Sequence, residues 1–191
     1  MVAASQLRAG TAIRFEGQLY KVLVADYHAG QGRMGGAAHT RLKNLTTGTL
    51  REHSFRAELK LEEVEVQKTP MDFLYEDSGQ CNFMNPETFE QMTIPAALIG
   101  PQARLLQPEM RVGVEFVEGN AVSVLLPEVL EVRIAATAPP SHQQVDSVWK
   151  PATLDSGVEI LVPQFIKTGD VIRLDVANLK YMDRAKGTGR S

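Results

Sequence analysis

One cysteine, Cys81, is all the thiol chemistry that this chain of 191 residues possesses. A lone thiol closes no internal disulfide, and four histidines without ligand spacing cannot complete a thiolate metal site around it. No window approaches the ~20 consecutive apolar residues of a membrane span. Residues 1–15 carry Arg8 and Arg14 and lack the continuous apolar stretch of a secretion signal. These absences predict a cytoplasmic chain with no membrane partner and no redox or zinc chemistry. Sustained helical periodicity is also missing, which points away from helical bundles. What is present is ordinary for a globular protein, with 43% hydrophobic and 23% charged residues, enough to bury a core. The length suits one domain or several small ones.

The net charge of −3 argues weakly against nucleic-acid binding when taken whole. Its distribution says more. Residues 1–60 hold nine Lys and Arg against four Asp and Glu, a net +5; residues 61–131 hold three against thirteen, −10; residues 132–191 hold eight against six, +2. Such a molecule can lay its first segment on a polyanion while the middle discourages indiscriminate adhesion.

Short β-type runs separated by turn signals predict an all-β fold. Thr11 to Phe15 and Leu19 to Tyr27 flank a turn at Glu16-Gly17-Gln18. Ala38 to Leu45 and Thr49 to Phe55 flank Thr46-Thr47-Gly48, so residues 1–65 read as a small barrel of four or five strands. Acidic residues accumulate near Glu62 to Val66 and the first proline, Pro70, follows, placing a boundary there. Residues 66–130 contain hairpins turning at Asp77-Ser78-Gly79 and Glu118-Gly119-Asn120, with a short helix expected around Ile94 to Leu98. A third module, 131–191, holds strands at Glu159 to Val162 and Val171 to Leu174 and ends in a tail, 185–191, without apolar content. Phe73, Tyr75, Phe83, Phe89 and Phe116 lie in the acidic module and read as its core rather than as a base-stacking platform.

The stretch 29–36 holds four glycines in eight residues, Gly30, Gly32, Gly35 and Gly36, between two strand-like runs. Glycine makes the loop slender, so Gln31, Arg33 and Met34 project from it. With five to eight residues per arm, Arg33 at the tip would reach roughly 15 to 25 Å at ~3.3 Å per residue. A strand-like run follows Gly36, which excludes phosphate-cradling loops that open a helix. A guanidinium with pKa above ~12 cannot serve as a general base, so positioning is the role left to Arg33 beside that of an ordinary exposed tip. His28 and His39 stand nearly symmetrically about the tip, yet two ligands do not make a metal site. Ser141, His142 and Asp146 lack a nucleophile elbow, and adjacency in sequence does not make a triad. The expectation is a protein that is not an enzyme and carries no metal.

Several motifs together are similar to bacterial elongation factor P. They are Leu7-Arg8-Ala9-Gly10, Arg41-Leu42-Lys43-Asn44-Leu45 with Thr47-Gly48-Thr49, Phe73-Leu74-Tyr75-Glu76-Asp77, and Phe83-Met84-Asn85-Pro86-Glu87-Thr88-Phe89-Glu90-Gln91. They continue with Lys150-Pro151-Ala152-Thr153-Leu154-Asp155-Ser156-Gly157, Val162-Pro163 and Tyr181-Met182-Asp183-Arg184. The resemblance implies an SH3-like (KOW-type) barrel followed by two OB-fold barrels, in an L shape resembling tRNA. It implies a monomeric elongation factor that binds the ribosome between the P and E sites beside peptidyl-tRNA and relieves stalling at consecutive prolines.

Arg33 falls where the family carries its modified tip residue, a lysine in many members. The arginine resembles that of branches in which it is rhamnosylated, which implies covalent rhamnose on Arg33 and an arginine-modifying glycosyltransferase as a partner. Arg41, Lys43, Arg51, Arg56, Tyr181 and Arg184 are the RNA contacts the resemblance implies. The 138–149 loop departs from the family's glycine-containing, codon-sensing loop. A non-ribosomal OB-type module that grips single-stranded RNA is the competing reading of the residues themselves.

Overall fold

The computed structural model describes residues 1–30, 35–140 and 148–186. Alternation of apolar and polar residues turns the first 64 residues into six strands: β1 (Val2–Ala3), β2 (Ala12–Phe15), β3 (Gln18–His28), β4 (Ala37–Asn44), β5 (Leu50–Arg56) and β6 (Lys60–Val64). They pair antiparallel in the order β1-β6-β2-β3-β4-β5. In β4, Ala38, Thr40, Leu42 and Asn44 are buried while His39 and Arg41 are exposed, the period of two that a half-buried strand requires. The core on the inner face gathers Ile13, Tyr20, Val22, Leu42, Phe55 and Leu61. Each contributes about 1.5–3 kcal/mol by leaving water.

The β2–β3 connection is the two-residue turn Glu16-Gly17, with φ of +50° and +75°. Left-handed backbone at both positions matches the right-handed twist of the flanking strands, and glycine at the second position adopts it without strain. Ser78-Gly79 and Glu118-Gly119 repeat the device in the second sheet.

That second sheet consists of β7 (Gln67–Asp77), β8 (Gln80–Met84), β9 (Gln91–Pro95), β10 (Arg111–Val117) and β11 (Asn120–Leu125), ordered β11-β10-β7-β8-β9. The expected short helix is α1 (Ala96–Ile99). Pro70, taken from the sequence as a boundary marker, lies inside β7. There it faces Gly113 of β10, and the pairing with β8 begins only at Asp72, so the strand has one neighbour and no second ladder bond is lost. The reading of the five aromatics as core holds for Phe73 and Phe83, which are buried. It fails for Tyr75 and Phe89, which are 54% and 70% exposed.

Residues 1–100 together with 108–125 form one compact unit. Its two sheets meet through a small apolar cluster of Ala12, Leu45, Val117 and Val122. Charged groups reinforce the seam. Lys21 Nζ lies 2.5 Å from Glu115 Oε1, Arg14 pairs with Glu118 across the seam and with Glu62 of its own sheet, and Lys43 Nζ donates to the Leu98 carbonyl at 3.1 Å. Part of the +5 and −10 asymmetry is therefore consumed inside this unit.

The second unit takes residues 101–107 and the described chain from 126 onward. Its sheet is β12 (Val129–Thr137), β13 (Trp149–Leu154), β14 (Glu159–Pro163), β15 (Val171–Asp175) and β16 (Lys180–Arg184), ordered β14-β13-β12-β15-β16. Ile134, Leu154, Val162, Ile166, Ile172 and Leu174 fill the core, and Leu105 from the 101–107 segment is buried among them. Lys150 is buried and donates to the carbonyls of Ala138 and of Ile166, which compensates its desolvated charge. The three sheets agree with the all-β, three-module architecture expected from the sequence.

Candidate functional site

The β3–β4 ladder continues to His28 opposite Ala37, so the glycine-rich stretch leaves the sheet only after eleven residues of β3. Gln31, Gly32, Arg33 and Met34 lie outside the described residues, as does the stretch 141–147 with Ser141, His142 and Asp146. Gly30, Gly35 and Gly36 are described, and Gly36 is bound into the root of the loop. Its carbonyl accepts from Ala57 N at 2.8 Å. A Cβ at Gly36 would stand 2.7 Å from the Tyr27 ring and 2.8 Å from the His28 carbonyl oxygen. Space, rather than a left-handed φ, is what requires glycine there. The Tyr27 ring can swing aside, but the backbone oxygen cannot. Gly36→Ala is expected to cost about 1–3 kcal/mol, and a denaturant melt that matches the unsubstituted protein would refute this close packing.

The outer face beside the loop root carries a row of polar side chains in register. Asp26, His39 and Ser54 stand opposite one another on β3, β4 and β5. The His28 and His39 rings meet edge to face at 5.1 Å, and His39 Nδ1 shares a 2.6 Å hydrogen bond with Ser54 Oγ. Val24, Asp26, His39, Arg41, Glu52 and Ser54 line a cleft of about 460 Å³ on this face. Among the described residues no three His, Cys, Asp or Glu side chains converge as metal ligands. Cys81 is buried, and burial pushes its thiol pKa up.

The six residues read as RNA contacts divide by environment. Arg41 and Arg56 are exposed on the outer face, on β4 and β5, and have no carboxylate within 4 Å among the described residues. Arg51 is paired with Glu16 at 2.9 Å and lies over the Phe15 ring at 5.7 Å. Lys43 is bound at the seam with the second sheet, where burial, then the neighbouring Lys21, pulls its pKa down.

In the second unit, Arg184 pairs with Asp170 at 3.0 Å and lies 5.8 Å over Phe165. Tyr181 packs against that unit's core with its ring 6.3 Å from Trp149, and burial raises its phenol pKa. Arg41 and Arg56 are thus the two cations of the set with open electrostatics, both on the sheet that carries the loop. Sequence reasoning missed Tyr27 and Ser54; the register of β3 against β4 and β5 is the signal that finds them, and composition does not contain it.

Three family models match the chain in series. They are the Elongation factor P (EF-P) KOW-like domain over residues 3–61, the Elongation factor P (EF-P) OB domain over 66–124, and Elongation factor P, C-terminal, over 130–184. An elongation factor P of Acidobacterium capsulatum is 36% identical over 185 residues, covering 96% of this chain and 99% of the relative. One from Clostridium botulinum strain Hall is 36% identical, covering 96% and 100%. Among solved structures, the "Eukaryotic translation initiation factor 5A from Methanococcus jannaschii" aligns with a TM-score of 0.48 at 16% identity. That alignment covers 65% of this chain and 92% of the other. No helix among the described residues is long and apolar enough to cross a membrane.

Proposed function

The chain belongs to the elongation factor P family, translation factors rather than enzymes, and we propose that it binds the ribosome between the P and E sites and speeds peptide-bond formation at consecutive prolines. The observation that carries the reading is the β3–β4 hairpin, paired to His28 and Ala37 and packed tightly at Gly36, as the base of a glycine-rich tip. In this reading Arg33 is delivered to the end of peptidyl-tRNA.

A guanidinium supplies neither a general base nor a nucleophile under physiological conditions. Its contribution is to hold the substrate in a near-attack geometry, so that orientation entropy is lost before the chemical step. Proline gains most because its ring fixes φ and leaves a poor geometry at the transfer centre. Arg41 and Arg56 contact phosphate on the flank of the hairpin, giving an affinity that falls with salt. The factor acts in the cytoplasm as a monomer, and a glycosyltransferase adds rhamnose to Arg33, extending its reach and its hydrogen bonding.

The test is translation in a purified system of two reporters, one with and one without a run of prolines. Added protein is expected to raise full-length product from the first alone. Equal yields with and without the protein would overturn the proposal. Intact mass of the natively produced protein, with an increment localised to Arg33, tests the modification.

A further inference from the structure

Residues 85–90 connect β8 to β9 and present an aromatic ring in an unusual way. Asn85 organises the loop: its backbone N donates to the Glu90 carbonyl, its own carbonyl accepts from Phe89 N, and its Oδ1 accepts from the backbone N–H groups of Glu87 and Thr88. At the end of this turn Phe89 stands at φ +59°, a left-handed conformation that bulky aromatic residues avoid and that glycine or asparagine adopts without penalty. The side chain receives little packing in return, since Phe89 is 70% exposed.

Phe15 and Phe165 each have an arginine over the ring, at 5.7 and 5.8 Å. Among the described residues no ring and no guanidinium packs on Phe89. Glu87 and Glu90 flank it, both exposed and without a cation within 4 Å among the described residues, although Glu87 acts at longer range on Arg111, which is itself paired with Asp72. The surrounding segment, residues 61–131, has a net charge of −10, of which Glu62, Glu115 and Glu118 are paired with cations of the first sheet.

We infer that Phe89 is a docking point for an arginine-bearing surface of a protein partner. A guanidinium laid on the ring is attracted by the π face and can pair with the carboxylate of Glu87 or Glu90 in its own plane. The acidic segment repels phosphate, so the occupant is a basic protein rather than a nucleic acid. The strained φ is then explained, because the turn aims the ring outward at the cost of local comfort. The inference goes beyond the proposed function and does not use the tip loop.

The experiment titrates the full-length protein with nona-arginine and nona-lysine peptides, following the amide resonances of residues 87–90. Nona-arginine is expected to bind more tightly than nona-lysine, and Phe89→Gly to lose about threefold or more of the arginine affinity, the size of an exposed cation–π contact. The same substitution relieves the left-handed strain, so its melting temperature is expected to equal or exceed that of the unsubstituted protein. Equal affinities for the two proteins, or a lowered melting temperature that reveals a packing role, would overturn the inference. So would displacement of the peptide from residue 89 by an oligouridine that binds there itself. A photo-crosslinker at residue 89 on purified ribosomes adds a second readout, with a protein adduct expected and an RNA adduct contradicting it. The peptide titration needs no ribosome, so its failure leaves the proposed function standing, and failure of reporter rescue leaves the peptide result intact.

Discussion

Arg33→Ala is expected to reduce the rescue of a proline-run reporter to background, a loss of at least tenfold, which corresponds to about 1.4 kcal/mol of barrier. The melting temperature is expected to stay unchanged, because the core of the first sheet is made from Ile13, Tyr20, Val22, Leu42 and Phe55, none of them in the loop. The combination is what distinguishes a delivered side chain from a structural one. Arg33→Lys sharpens the test by keeping a positive charge while removing the planar guanidinium that a sugar would modify. It is expected to fall well below the unsubstituted protein. Full rescue by Arg33→Ala, in a system where the unsubstituted protein rescues, would show that the tip side chain is dispensable and that the factor works by another surface.

The second large effect is expected at the seam of the first unit. Lys21 and Glu115 approach to 2.5 Å with side chains only 16% and 7% exposed. Glu115→Ala leaves Lys21 with a largely buried and uncompensated charge, and the same carboxylate also offsets the repulsion between Lys21 and Lys43. Removing one partner of such a pair costs about 3–5 kcal/mol, a large part of the ~5–15 kcal/mol that holds a typical domain together. A fall of roughly 10 °C in melting temperature follows for a chain of this size. Replacing both partners by apolar residues of similar volume is expected to recover most of the loss, because no stranded charge remains. A Glu115→Ala protein within about 0.5 kcal/mol of the unsubstituted one would place this pair among surface contacts of little consequence.

Much of the β architecture was legible because its signals are local. Glu16-Gly17, Ser78-Gly79 and Glu118-Gly119 each name a two-residue turn, and the alternation in residues 37–44 names the buried face of a strand. What escaped the sequence depends on which element lies next to which. Pro70 and Pro151 look like strand breakers. Each instead sits where its strand has one hydrogen-bonded neighbour, Pro70 beside β10 and Pro151 beside β14. Phe89 reads as core because it is an aromatic in an acidic module that disfavours base stacking, yet the Asn85 turn leaves it 70% exposed.

The candidate site shows the same division. The glycine-rich loop stands out in composition, but the cations around it do not declare their partners. The family resemblance places Lys43 and Arg51 in one group with Arg41 and Arg56. The fold separates them by bringing Leu98 to Lys43 and Glu16 to Arg51. His28 and His39, by contrast, stand nearly symmetrically about the loop in sequence, and their rings meet at 5.1 Å.

Leu105 leaves the first unit's chain midway and finishes in the hydrophobic interior of the second, after which residues 108–125 return to complete β10 and β11. No single cleavage can therefore release two self-sufficient halves. A fragment ending at residue 125 would carry a stranded leucine in water, an invitation to aggregate. During synthesis, that leucine is translated well before Ile134, Leu154 and Ile172, so it must wait for residues not yet made.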